Sequence, residues 1–365
     1  MIHFLVPAEQ EAGIKDYLDV HGASFHEDLR IVHYDTLVQQ KQFHRGTYVC
    51  SSLDQLNTGM TEFLAVLHQK LMPIAGFRFL NIPKVTLRRF DLLKEFHRLG
   101  LNEFAVERAS GDLQGLTFPV FIRNEKLHEG ALSELLNSER EVRQAIGKAL
   151  VQGHNLKHLI VVEFCDTANE AGYYRKYASF VVGKRIIPRS LNYGRSWMLK
   201  HAGTEFTMPM VLEELEYVTS NLHQEQLAKI FELAGVEYGR IDYAIKDGAV
   251  QTWEINLNPT IGRGNRPRSM NISADLDVIR EKVRQNFYEG FESAWREVDL
   301  KSEHTMPVAV EIDSQILAAA CEKPNHESRL LNSMRTILRP AKPIIEPLSP
   351  PFLGALSWLA RHRSK

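Results

Sequence analysis

The sequence is poor in several features that would each have fixed a function class. Cysteine is nearly absent: Cys50, Cys165 and Cys321 stand alone in 365 residues. Scattered and odd in number, they exclude a disulfide framework and a cysteine zinc cluster and fit a reducing compartment. Long apolar runs are missing too. The longest, such as residues 159–162 and 180–182, fall far below the ~18 residues a membrane-spanning helix needs, so no transmembrane segment is expected. The opening Met1-Ile2-His3-Phe4 lacks a basic stretch ahead of an apolar one; no secretory signal is expected, and the expected compartment is the cytoplasm. Neither sign of charge is in excess, with 44 Lys and Arg against 45 Asp and Glu. That balance excludes a globally basic nucleic-acid binder and leaves charge to be read region by region. No G-x-G-x-x-G turn follows the first strand-like run, which argues against a dinucleotide site there.

What is present is ordinary globular composition, 44% hydrophobic and 24% charged, in a length that suggests two or three structural units. Residues 2–7, 29–33 and 47–50 are strand-like, and 61–71 carries Phe63, Leu64, Leu67 and Leu71 at helical spacing. Such alternation predicts an α/β unit with a parallel sheet over residues 1–80. A second section, 81–299, opens with a helix bearing Leu87, Phe90, Leu93 and Leu99 ahead of Gly100. It continues with strands over 118–123 and 159–164 and a helical stretch over 132–150. A hairpin of 174–182 and 184–188 turns at Gly183, and a helix over 224–234 stops at Gly235. Beyond residue 300 the character changes, for seven of the fifteen prolines fall between Pro307 and Pro351. This part reads as an extended clasp ending in an amphipathic helix over 352–363.

The segments Arg240-Ile241-Asp242-Tyr243 and Trp253-Glu254-Ile255-Asn256-Leu257 carry the most chemistry. If a three-residue loop, 247–249, joins them, Asp242 faces Glu254, Tyr243 faces Trp253 and Arg240 faces Asn256. A two-residue loop would put the two carboxylates on opposite faces, so an odd loop is expected. Two carboxylates and an amide oxygen on one rigid face suit Mg²⁺, with Mn²⁺ as a substitute. The same residues would equally make the wet side of a half-buried antiparallel pair.

Here the sequence resembles the ATP-grasp superfamily, and most closely its RimK and glutathione-synthetase-like branch. The resemblance runs over residues 81–290 and rests on Asp242, Glu254, Asn256 and Pro259 as the acidic strand and Glu-x-Asn strand. The strand Phe118-Pro119-Val120-Phe121-Ile122-Arg123 and the hinge-like Val161-Val162-Glu163-Phe164-Cys165 precede them in family order. The resemblance implies an α/β (α+β) ATP-grasp fold with three parts. These are a Rossmann-like pre-ATP-grasp unit over 1–80, an ATP-grasp domain over 81–299 with its lid about 105–165, and a proline-rich extension over 300–365.

The resemblance also implies site residues. Asp242, Glu254 and Asn256 would hold the metal. Arg89 and Arg123 would take the places of two phosphate-binding lysines, keeping the charge in a forked form. Glu163, Phe164, Cys165 and Asp166 would meet adenine. The loop 124–130, where the family has a glycine-rich lid, carries Gly130 alone. Arg189, Arg263 and Arg266 are the favoured contacts to a substrate carboxylate or the transferred phosphoryl group, whereas Lys176 and Arg268 read as surface charges. The implied reaction is an ATP- and Mg²⁺-dependent joining of a small-molecule or peptide carboxylate to an amine through an acyl phosphate. A nucleotide-binding scaffold without catalysis and a small-molecule kinase are the alternatives. No nucleic-acid partner is expected, and a homo-oligomer is compatible with the sequence.

Overall fold

Residues 1–127, 130–199, 205–262, 273–302 and 306–322 are described by the computed structural model. The described residues gather into two units, one of residues 1–103 and 166–322 and one of 104–165. Both parallel and antiparallel sheets are present, so the class is mixed α/β.

In the larger unit the chain begins with Ile2–Val6 (β1), Ala12–Val20 (α1), Leu29–His33 (β2), Tyr34–Leu37 (α2), Gln42–Phe43 (β3) and Gly46–Cys50 (β4). Thr58–Leu71 (α3), Phe77–Leu80 (β5) and Arg89–Arg98 (α4) follow. Strands β2, β1, β4 and β5 lie in that order and pair in parallel. All five residues of β1 and of β4 are buried, as a parallel sheet covered on both faces requires. Asn57 caps α3 by accepting the Met60 amide at 2.6 Å. Gly100, with φ at +68°, terminates α4.

The smaller unit contains Val106–Arg108 (β6), Val120–Asn124 (β7), Glu139–Val151 (α5) and Leu159–Glu163 (β8). Its strands form an antiparallel sheet in the order β6, β8, β7. The helix expected over 132–150 starts only at Glu139, behind the cap Ser138. The residues before it run extended, bridging Ala131 to Arg123 and Leu136 to Val120. Hydrophobic spacing alone does not separate such an edge segment from a helix, and the serine cap marks the true start.

The larger unit resumes with Tyr174–Val182 (β9), Arg185–Gly194 (β10), Met208–Ser220 (α6), Gln224–Ala234 (α7), Tyr238–Lys246 (β11) and Ala249–Asn256 (β12). Ala274–Val298 (α8), Val308–Ala309 (β13) and Ser314–Ala320 (α9) complete it. The second sheet runs β10, β9, β11, β12, all antiparallel. One of its faces packs on α6 and α7, where Ile241, Tyr243, Ile255 and Leu257 join Tyr217, Leu227, Ile230 and Phe231 in one core. Part of the other face is covered by α8, whose Phe287, Phe291 and Trp295 pack with Phe4, Phe180 and Tyr238. Each such aromatic contributes roughly 2–3 kcal/mol on burial. The sheet face therefore has a covered end and an end free of that helix.

The clasp expected beyond residue 300 is partly described. Strand β13 pairs with β3, and α9 lies so close to α3 that a Cβ on Gly59 would stand 2.2 Å from the Ala319 carbonyl oxygen. Only glycine permits that approach. The terminal helix expected over 352–363 lies outside the described residues.

Candidate functional site

The hairpin β11–β12 reaches the expected facing by a different route. Its loop has two residues, Asp247 and Gly248, with φ at +49° and +79°. This is the geometry an Asp-Gly turn favours in a two-residue hairpin. Continued regularly, that loop would have put Asp242 opposite Trp253. A bulge intervenes: Tyr243 pairs with Thr252, Asp242 pairs with Glu254, and Trp253 is the extra residue. The expected odd loop and the expected Tyr243–Trp253 pair are thus both corrected, while Asp242–Glu254 and Arg240–Asn256 face each other. Ile241 and Tyr243 point into the core at 0% exposure, leaving Arg240, Asp242, Glu254 and Asn256 on the opposite side.

Every carboxylate on this face has a cation. Arg240, two residues from Asp242 on the same strand, donates from Nε to Oδ1 at 2.8 Å and from Nη2 to Oδ2 at 3.3 Å. Lys176 reaches Asp242 Oδ2 at 3.3 Å from β9, where Ala178 is the direct partner of Asp242. Arg89 pairs with Glu254 at 2.7 Å, and its side chain is 5% exposed. Its position is set behind it: the Leu87 amide donates to the Ala234 carbonyl at 2.9 Å and Thr86 Oγ1 to the Gly235 carbonyl at 2.8 Å. These bonds tie the start of α4 to the end of α7. Burial pulls the Arg240 pKa down, but the charge and hydrogen bonds of Asp242, with Glu254 behind them, outweigh it and hold the guanidinium above its usual value.

The oxygen-only donor set, two carboxylates and the Asn256 amide oxygen, suits a hard cation. Asn256 Oδ1 also accepts the Asn258 amide at 2.9 Å, which fixes its orientation. Among the described residues no group of three or more His, Cys, Asp or Glu side chains gathers, on this face or any other. Three cations already face two carboxylates here, so a divalent metal fits only in company with a polyanion that draws the arginines and the lysine to itself.

Arg189 is the extra residue of a second bulge, between Pro188 and Ser190 on β10. Its guanidinium lies 4.5 Å from the centre of the Phe287 ring and 5.8 Å from that of Tyr288. Burial lowers its pKa, with Tyr288 and Glu214 opposing and Arg240 and Arg284 adding to the effect. Among the described residues it makes no hydrogen bond or ion pair. Arg263 and Arg266 lie outside the described residues.

In the smaller unit Arg123 is buried near the end of β7. Glu163 ends β8 with both carboxylate oxygens accepting backbone amides, Oε2 from Ala105 at 2.8 Å and Oε1 from Thr117 at 2.5 Å. Its side chain is therefore committed to holding the strand end. Phe164 donates its amide to the Pro119 carbonyl at 2.9 Å, and Cys165 is buried. Asp166, in the larger unit, is exposed and accepts the Ala168 amide at 3.0 Å.

Alternation places Arg240 on the face of Asp242 as expected, but its ion pair with Asp242 is not part of that expectation. Lys176, expected as a surface charge, instead pairs with Asp242, because β9 neighbours β11.

No protein-family model matches the chain, and no curated protein sequence matches it. Among solved structures the chain is similar in layout to the D-alanine–D-alanine ligase of Bacillus anthracis complexed with ATP. The identity is 11%, covering 81% of this chain and 99% of that one, with a TM-score of 0.43. It is similar also to the L-amino acid ligase of Bacillus licheniformis, at 10% identity over 84% of this chain and 74% of that one, TM-score 0.40. The RimK-domain ATP-grasp protein of Sphaerobacter thermophilus gives 14% identity over 79% and 98%, TM-score 0.41.

Proposed function

We propose that this chain is an ATP-grasp enzyme joining a carboxylate to an amine at the expense of ATP. The observation that carries the reading is the single sheet face on which Asp242 and Glu254 oppose each other with Asn256 alongside, ringed by Arg89, Arg240 and Lys176. A triphosphate brings the negative charge this ring lacks, and Asp242, Glu254 and Asn256 would then hold Mg²⁺. The metal, when bound, neutralises phosphate charge as it shifts in the reaction. Arg89 and Arg123 are proposed phosphate contacts, and the backbone over 164–166 is the proposed adenine contact, since the Glu163 carboxylate is already used.

In this reading the substrate carboxylate oxygen attacks the terminal phosphorus and the bond to ADP breaks. The amine nitrogen then attacks the acyl carbon, phosphate leaves, and the amine gives up a proton. Arg189, a stacked guanidinium with no carboxylate partner among the described residues, is proposed to hold a negative oxygen of the substrate or the acyl phosphate.

Calorimetric titration with Mg·ATP tests the nucleotide claim: wild type binds and Glu254→Ala binds far more weakly. Absence of binding in both would overturn it. Release of ADP that requires both a carboxylate and an amine tests the reaction, and Asp242→Asn should slow it roughly a hundredfold or more. A second reading, a nucleotide-binding scaffold without turnover, is favoured by the carboxylates' existing ion pairs and by arginine at both lysine positions. Tight Mg·ATP binding with no ADP release across a broad substrate panel would select it.

A further inference from the structure

We propose that Ser52 and Asn258 are positioning residues for Asn256: a strap of hydrogen bonds from the end of the parallel sheet fixes the carboxamide that shares a face with the two carboxylates. The inference rests on the reading of Asp242, Glu254 and Asn256 as a metal site. Strands β1 and β4 are neighbours, and the loops leaving their C-terminal ends both reach the chain that continues from β12. The Ser52 amide donates to the Leu257 carbonyl at 3.3 Å, and Ser52 Oγ donates to Gln10 Oε1 at 2.8 Å. Asn258 Nδ2 donates to the Gln10 carbonyl at 3.1 Å, which closes the ring. Beyond it, a Cβ on Gly13 would stand 3.3 Å from the Pro259 carbonyl oxygen, so the start of α1 lies directly against the strap.

The strap ends on the donor atom itself. With Leu257 and Asn258 tied down, the Asn258 amide donates to Asn256 Oδ1 at 2.9 Å. A backbone N–H only donates, so it selects the oxygen of the carboxamide over its NH2 group and occupies one of that oxygen's two lone pairs. The other can take a hard cation. Released, the side chain would turn about its terminal bond and present the NH2 group, which repels a metal.

Neither residue is the one that packing alone favours. Ser52 is fully buried with φ at +52° and ψ at +29°, in the left-handed region where a Cβ is strained and glycine is not. Asn258 keeps its Nδ2 bond although its Oδ1 is buried with no hydrogen-bond partner among the described residues. An apolar side chain there would bury no such oxygen. Strained residues cluster at functional sites, and this strap ends on Asn256.

The test is calorimetric titration of the full chain with Mn²⁺ at saturating ADP, alongside thermal melting without metal. Asn258→Ala should bind Mn²⁺ roughly tenfold or more weakly. Ser52→Gly should also weaken Mn²⁺ while melting close to wild type, because the strain relieved offsets the hydrogen bond lost. Gln10→Ala should weaken it too, and Gln10→Glu, which keeps an acceptor for Ser52 Oγ, should restore it. Trp295→Phe is the control: this fully buried ring lies on α8, away from the strap, so its loss should lower the melting temperature and leave Mn²⁺ affinity unchanged. A wild type that binds no Mn²⁺ with ADP overturns the metal reading and this role with it. Wild-type binding with unchanged affinity in Asn258→Ala and Ser52→Gly, or an equal loss in Trp295→Phe, overturns the positioning role alone.

Discussion

Arg89 and Glu254, 165 positions apart, close a 2.7 Å ion pair where the first turn of α4 meets β12, with side chains 5% and 12% exposed. Such a pair is costly to break from one side, because the surviving charge stays buried. Arg89→Met should therefore destabilise the fold by about 3–5 kcal/mol, and Arg89→Lys by less, as read from urea denaturation. The pair with Glu254→Gln should cost clearly less than the sum of the single changes. Additive losses would mean that the two groups do not act on each other.

The hairpin turn gives a second prediction. Gly248 holds φ at +79° with open space where a Cβ would go, so backbone conformation alone decides the cost of a side chain there. Gly248→Val should destabilise by about 1–2 kcal/mol, while a D-alanine introduced by semisynthesis should cost nothing or stabilise. Equal losses from both would show that the turn has another conformation in solution.

How much of this site was legible depends on which interactions are local in sequence. The polar face of Arg240, Asp242, Glu254 and Asn256 follows from alternation within two short segments. The bulge at Trp253 does not, because no glycine or proline marks it. The Asp-Gly turn and the co-facing carboxylates point to different registers, and only an extra residue satisfies both. Helix α8 is not among the elements read from the sequence, although its apolar residues stand three and four apart and were legible as a helical stripe. Its stripe of Val283, Phe287, Phe291, Ala294, Trp295 and Val298 is buried throughout. The Glu163 side chain was assigned to a ligand, but the amides of Ala105 and Thr117, 58 and 46 residues away, claim it. Nothing in the hinge-like strand itself announces those donors.

Behind the candidate metal face runs a buried polar chain. Ser179 Oγ lies 2.7 Å from Tyr217 OH, which lies 3.1 Å from Tyr243 OH, which lies 2.8 Å from His223 Nδ1. Tyr217 OH also donates to the carbonyl of Ala178, the residue paired with Asp242. Tyr243→Phe removes the middle link and leaves its neighbours short of a partner in a dry environment, which should cost about 1–3 kcal/mol. Tyr217→Phe should cost at least as much, since that hydroxyl makes three contacts. Thermal melts of the two variants check this, and a loss below the scatter of surface substitutions would show that water satisfies the orphaned groups.

His3 makes the acid limb of the stability curve diagnostic. Burial holds its folded-state pKa at about 4, below the ordinary 6.5, so the unfolded chain takes up the proton first as pH falls. The stability it contributes is complete above pH 6.5 and is lost as pH drops toward 4. The shift corresponds to about 3 kcal/mol at full size. Urea midpoints measured from pH 7 to pH 4.5 should therefore fall more steeply in wild type than in His3→Gln, which has no proton to gain at that position. Parallel slopes in the two proteins would show that His3 does not stay neutral in the folded state.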